Sequence, residues 1–187
     1  MTHLWTITSK IFKMKNLILI ATVSLLFFLN GYSQINLVKD IFPGTNNSSP
    51  TMLTDVNGTL YFDASPSNVL SYDLWKSDGT VAGTSIVKNL PVNSYGALLS
   101  FNNILYFFDP AGNLWKSDGT ETGTSIVKLF LTNSIITPII YGNKFYFFQT
   151  TLAGSGMYKS DGTAAGTTFV SDKINTSYLK VSGTTMF

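Results

Sequence analysis

Three aspartates recur at one place in a repeated phrase: Asp78 in Ser77-Asp78-Gly79-Thr80, Asp118 in Ser117-Asp118-Gly119-Thr120, and Asp161 in Ser160-Asp161-Gly162-Thr163. A carboxylate presented by a glycine-containing loop is a ligand that calcium accepts, so these positions are the metal candidates of the chain. Calcium takes about six to eight oxygens, usually from several carboxylates close together. Each loop offers one Asp, with hydroxyls and carbonyls as weaker donors. The residue also has a simpler use: aspartate bonds its own backbone two residues on, and the glycine after it takes a left-handed conformation. The ligand count favours the turn, and no cofactor is expected.

Other reactive chemistry is sparse. The only histidine is His3, and the chain has neither cysteine nor arginine. Nucleophile–histidine pairs and His or Cys metal ligands are therefore excluded beyond residue 33. Asp, Glu121, Lys and Tyr remain as acid–base candidates, and no catalytic residue is assigned. A second candidate chemistry is stacking of sugars on the aromatic runs Tyr61-Phe62, Tyr106-Phe107-Phe108 and Tyr146-Phe147-Phe148. Neighbours in a strand face opposite ways, and apolar stripes repeated in register usually form the core of a stack. Ligand contacts are expected instead in the loops that differ between repeats, 43–50, 64–73, 91–96, 132–138 and 150–156. These are rich in Ser, Thr, Asn and Gly. Lys76, Lys116 and Lys159 read as solvated charges at strand ends.

The elements that position these residues follow from the repeat. Leu74-Trp75-Lys76-Ser77-Asp78-Gly79-Thr80 returns about forty residues later as Leu114-Trp115-Lys116-Ser117-Asp118-Gly119-Thr120, and again as Met157-Tyr158-Lys159-Ser160-Asp161-Gly162-Thr163. Such a period means one supersecondary unit in tandem. A second Gly-Thr pair follows each copy, then an apolar run, Ile86-Val87-Lys88, Ile126-Val127-Lys128 and Phe169-Val170-Ser171; Leu37-Val38-Lys39-Asp40 is a further copy of that run. Asn57-Gly58, Asn102-Asn103 and Gly142-Asn143 each precede an aromatic pair, and such dipeptides suit two-residue hairpins. Ser182-Gly183 opens a fourth copy. One unit, 84–118, is expected to hold strands at 85–88, 97–101, 104–108 and 114–117, with a loop over 89–96 broken by Pro91.

Four short antiparallel strands in about forty residues describe a β-propeller blade. The expected class is all-β, propeller-like, with about three repeats and the start of a fourth. Trp75, Trp115 and Tyr158 are expected to pack between blades, while Gly79, Gly119 and Gly162 complete the turns. Closed propellers need about four to eight blades. A truncated chain is the expected reason for the shortfall, with assembly into a ring by self-association or an open array as the alternatives.

The segments 74–89, 114–129 and 157–172 resemble the tandem ELWxxDGT repeat of bacterial secreted proteins, whose full motif is Glu-Leu-Trp-x-x-Asp-Gly-Thr-x-x-Gly-Thr-x-x-Val-Lys-Asp-Ile. The chain departs at the first Glu, where it has Asp73, Asn113 and Gly156. The resemblance implies a propeller-like repeat protein exported by Gram-negative bacteria and no agreed reaction. The Ser-x-Asp-x-Gly-x-Thr turn of sialidase propellers is similar too, and implies a structural aspartate remote from catalysis.

Residues 1–33 read as a secretory signal with Met14 as the better start: Met14-Lys15, an apolar run over 17–29, then Gly31-Tyr32-Ser33 before Gln34. The run is too short for a spanning helix, which needs about 20 residues. The expected repeat domain is 34–187, with no membrane anchor after cleavage. It carries nine lysines against ten acidic residues, a net charge of −1. Without a basic patch, nucleic acid is not an expected partner. The reading is a non-catalytic secreted or cell-surface module that binds an extracellular glycan or protein. The alternative is part of an exported polysaccharide-degrading propeller.

Overall fold

The computed structural model describes residues 37–67, 72–92, 97–130, 137–152 and 154–172, and the pairs 181–182 and 185–186. The signal expected over 1–33 lies outside them. The chain divides into two units, 1–37 and 38–187. All described strands lie in the second unit. Among the described residues no helix is long and apolar enough to cross a membrane.

Three four-stranded antiparallel sheets follow one another along the chain. The first holds β1 (Thr51–Val56), β2 (Thr59–Ala64), β3 (Tyr72–Ser77) and β4 (Ser85–Val92). The second holds β5 (Leu98–Phe101), β6 (Ile104–Phe108), β7 (Leu114–Ser117) and β8 (Ser125–Lys128). The third holds β9 (Ile139–Tyr141), β10 (Lys144–Thr151), β11 (Gly154–Ser160) and β12 (Thr168–Ser171). In each, chain order is sheet order. A short antiparallel pair, β13 (Val181–Ser182) and β14 (Thr185–Met186), follows. The all-β class and the repeated four-stranded unit are thus observed.

The hairpins begin where the turn dipeptides stand. Val56 pairs with Thr59, Phe101 with Ile104 and Tyr141 with Lys144, which leaves two-residue loops. Asn57 and Gly58, and likewise Asn102 and Asn103, have positive φ, as a type I′ turn requires. At Gly142-Asn143 only the glycine has positive φ, the type II′ pattern.

The phase of the unit differs from the expectation. The Ser-Ile-Val-Lys strand does not open the next sheet: β4 pairs back onto β3 and β8 back onto β7. The second four-strand unit is therefore 98–128 rather than 84–118. The intervening Gly-Thr loop is tight enough to return the chain onto the strand it has just left. β4 also runs on through Pro91 to Val92, where a loop was expected. Proline is tolerated there because β4 is an edge strand.

The same irregularity marks all three last strands. Leu74 pairs with Lys88 but Trp75 with Ile86, so Val87 is an extra, bulged residue; Val127 and Val170 hold the same position.

The core lies between sheets. Val56, Tyr61, Leu74 and Val87 of the first sheet meet Leu105 and Phe107 of the second. Phe101, Tyr106, Phe108 and Leu114 of the second meet Phe145 and Phe147 of the third. Adjacent Phe107 and Phe108 thus serve opposite faces of one sheet, both fully buried. Burying a side chain of that size stabilises by about 1.5–3 kcal/mol. Of the eight aromatic residues weighed as a sugar platform, six are core, while Tyr146 and Phe148 are half-buried.

Candidate functional site

The Ser-Asp-Gly-Thr loops form one hydrogen-bonded lock, built three times. In the first, Thr80 donates to Asp78 Oδ1 from its backbone N–H (2.9 Å) and its hydroxyl (2.8 Å). Gly83 N–H donates to Thr80 Oγ1 (2.9 Å), and Thr84 Oγ1 donates to the Thr80 carbonyl (2.6 Å). With its proton so used, the Thr84 hydroxyl accepts from Ser77 Oγ at 2.7 Å, and Ser77 Oγ accepts from Gly79 N–H at 3.1 Å. The loops at Asp118 and Asp161 repeat these bonds.

Two glycines are required for separate reasons. Gly79, Gly119 and Gly162 sit at φ near +90° (88°, 88° and 93°). Gly83, Gly123 and Gly166 have the aspartate carboxylate lying where a Cβ would be. Hydrogen bonds from threonine, hydroxyl first and backbone second, hold Asp78, Asp118 and Asp161 below the usual carboxylate range. Each loop holds one aspartate, and Glu121 adds a second carboxylate to the Asp118 loop alone. Among the described residues no group of three or more His, Cys, Asp or Glu could hold a metal ion.

These loops are also the joints between sheets. The Tyr61 hydroxyl of the first sheet lies against Gly119 of the second, and that of Tyr106 against Gly162 of the third. Burial, and secondarily the nearby Asp118 and Asp161, pushes the two phenols above the ordinary tyrosine range. Lys76 Nζ donates to the Gly119 carbonyl (2.7 Å), so Lys76 is not the solvated strand-end charge its position suggested. Half-buried, it ties two sheets together.

The Val-Lys lysines act likewise. Lys88 Nζ reaches the Glu121 carbonyl (3.4 Å) and Lys128 Nζ the Thr167 carbonyl (3.0 Å), each in the next sheet. Lys39 makes the equivalent bond to the Thr84 carbonyl (2.7 Å) and lies 5.9 Å from the Trp75 ring centre.

Trp75, Trp115 and Tyr158 each pair across strands with a phenylalanine, Phe62, Phe107 and Phe147. Trp115 stacks on Phe107 at 5.9 Å and 11°, and Tyr158 on Phe147 at 5.9 Å and 15°. The position where the resembling motif has Glu is structural as well. Asn113 Oδ1 accepts from Phe130 N–H (2.8 Å), and Asp73 accepts from the Leu90 backbone.

One pocket lies beside a loop in which the repeats differ. An open pocket of about 440 Å³ in the third sheet is lined by Thr151, Gly154, Ser155, Tyr158, Phe169 and Asp172. It adjoins the 150–156 segment, one of the variable loops singled out above. Phe169 is 53 % exposed and meets the Tyr158 ring edge-on at 5.6 Å. Buried Gly156 makes room for it, since a Cβ there would strike the Phe169 ring and the Ser171 carbonyl. Sequence reasoning reached the loop but not Phe169 or Asp172, which belong to the last strand and its end. No family model matches the chain, and no curated relative was found for it.

Proposed function

We propose that the chain is a non-catalytic, propeller-like repeat module, exported to the cell exterior or surface, that binds an extracellular carbohydrate through the pocket beside the 150–156 loop. The observation that carries this reading is the division of labour among residues. The repeated Asp, Gly, Thr, Lys and aromatic positions are consumed in holding sheets together. The pocket beside the 150–156 loop, of mixed chemistry, is lined by residues outside that set, Tyr158 excepted.

Its lining suits a sugar ring. An exposed aromatic face offers an apolar platform, while the Asp172 carboxylate and the Thr151 and Ser155 hydroxyls offer polar groups to orient a polyol. Glycoside hydrolysis generally needs a pair of carboxyl groups flanking the bond. Asp172 is the single acid lining this pocket, which favours binding over cleavage.

A glycan array probed with the intact chain, followed by titration of any hit, tests the reading. Replacing Phe169 with alanine is expected to weaken a hit about tenfold, the scale of one lost aromatic contact. No glycan bound, a hit indifferent to Phe169→Ala, or release of shortened sugar would each contradict it.

A further inference from the structure

The two joints inside the chain have the same two halves, and a third pair of halves is present but unjoined. The presenting half is the tyrosine of the second strand. Tyr61 pairs with Lys76, Tyr106 with Lys116 and Tyr146 with Lys159, so Tyr146 holds in the third sheet the place of the other two. Tyr61 and Tyr106 are 5 % and 4 % exposed, whereas Tyr146 is half-buried, with exposed Val170 in the last strand of its sheet.

The receiving half is the glycine of the turn. Gly119 and Gly162 are buried beneath a tyrosine hydroxyl. Gly79 is exposed, and a Cβ there would meet nothing within 4 Å. Its loop has the same lock and a φ matching that of Gly119. The lysine contact of this end is already in place, through Lys39 to the Thr84 carbonyl. Ile41 packs on the cluster of Phe62, Ala64 and Trp75 beside it.

We propose that a second copy of this chain supplies the missing half, seating Tyr146 against Gly79 as Tyr61 sits against Gly119. Lys159 of one copy then donates to the Gly79 carbonyl of the next, as Lys76 does to that of Gly119. The same chain carries both complementary surfaces at different sheets, so the contact is head-to-tail. Repeating it gives a ring if the rotation closes and a filament if it does not. The exposed Val170 of the third sheet is covered in either case, as Val87 is buried at the joint between the first and second sheets. Ligand binding at the 150–156 pocket is a separate property and does not enter the contact.

Sedimentation velocity of the intact chain over a wide concentration range tests the proposal. Gly79→Asn retains a residue tolerant of positive φ but fills the cradle, and Tyr146→Glu removes the presenting half. The wild-type chain is expected to gain mass with concentration, each variant alone to stay monomeric, and the two variants mixed to form a 1:1 dimer capped at both ends. Gly79→Asp and Tyr146→Lys replace any variant whose circular dichroism shows misfolding. A wild-type monomer at every concentration, variants that associate like the wild type, or a mixture without dimer would each overturn it.

Discussion

Asp109 gathers three donors onto one carboxylate. Asn113 gives its backbone N–H and its side-chain amide, and Trp115 gives its indole N–H, each at 2.9 Å. The register puts Ala64 at the equivalent place in the first sheet, and the indole N–H of Trp75 is accordingly buried with no acceptor among the described residues. One repeat has therefore elaborated a polar anchor that its neighbour lacks. Deleting the anchor leaves several donors unsatisfied in a site that is largely closed to water. Asp109→Ala is expected to lower unfolding stability by about 1–3 kcal/mol, read from chemical denaturation of the intact chain. A change of only a few tenths would mean that these donors find other partners. No pattern in the sequence marked Asp109, because it falls in a turn whose length and composition vary between repeats.

At the scale of the strand and turn, much of this fold was legible. Asn-Gly and its relatives specify two-residue hairpins by their tolerance of positive φ, and all three described turns follow. The phase of the unit was not legible, because Ile86-Val87-Lys88 has the β-branched, half-apolar character that pairs equally well with the strand before it or after it. The choice is made by the Gly-Thr loop, whose Ser77–Thr84 bond closes the chain back on itself. Lys76 was misread for a related reason, whereas Lys116 is exposed as its position suggested. The carbonyl partner of Lys76 lies 43 residues away, in another sheet, a distance that no local pattern reports.

These loops also set the response to acid. The carboxyls of Asp78, Asp118 and Asp161 titrate below the ordinary value of about 3.9. A depressed folded value means that their stabilisation is present above about pH 4 and is lost as pH falls through the folded values. Asp73, whose carboxyl burial pushes up, works in the opposite sense, since its protonation on the acid side relieves a cost. Changing the three loop aspartates together to asparagine is expected to flatten the fall in unfolding temperature between about pH 5 and pH 2. An unchanged slope would mean that other carboxylates govern acid unfolding.

Across the whole molecule, conserved spacing within the chain and functional use separate. What repeats every forty or so residues mostly locks turns and joins successive sheets; the pocket combines two repeat positions, Tyr158 and Phe169, with the variable 150–156 loop. The candidate site was legible only as a loop, because Phe169 and Asp172 reach it from β12 and its end, and the sequence did not show that this strand pairs back onto β11. The resemblance drawn from the motif agrees with structural aspartates, yet the same residues were also the calcium candidates, so the two roles call for a direct comparison. The measurement is thermal unfolding of the intact chain in excess calcium and in a chelator, for the wild type and for Asp118→Ala. Turn-locking aspartates predict one wild-type transition in both conditions and a lower transition for the variant, again the same in both. A wild-type transition raised by several degrees in calcium, with that response lost in the variant, would contradict the account and make the loops metal sites.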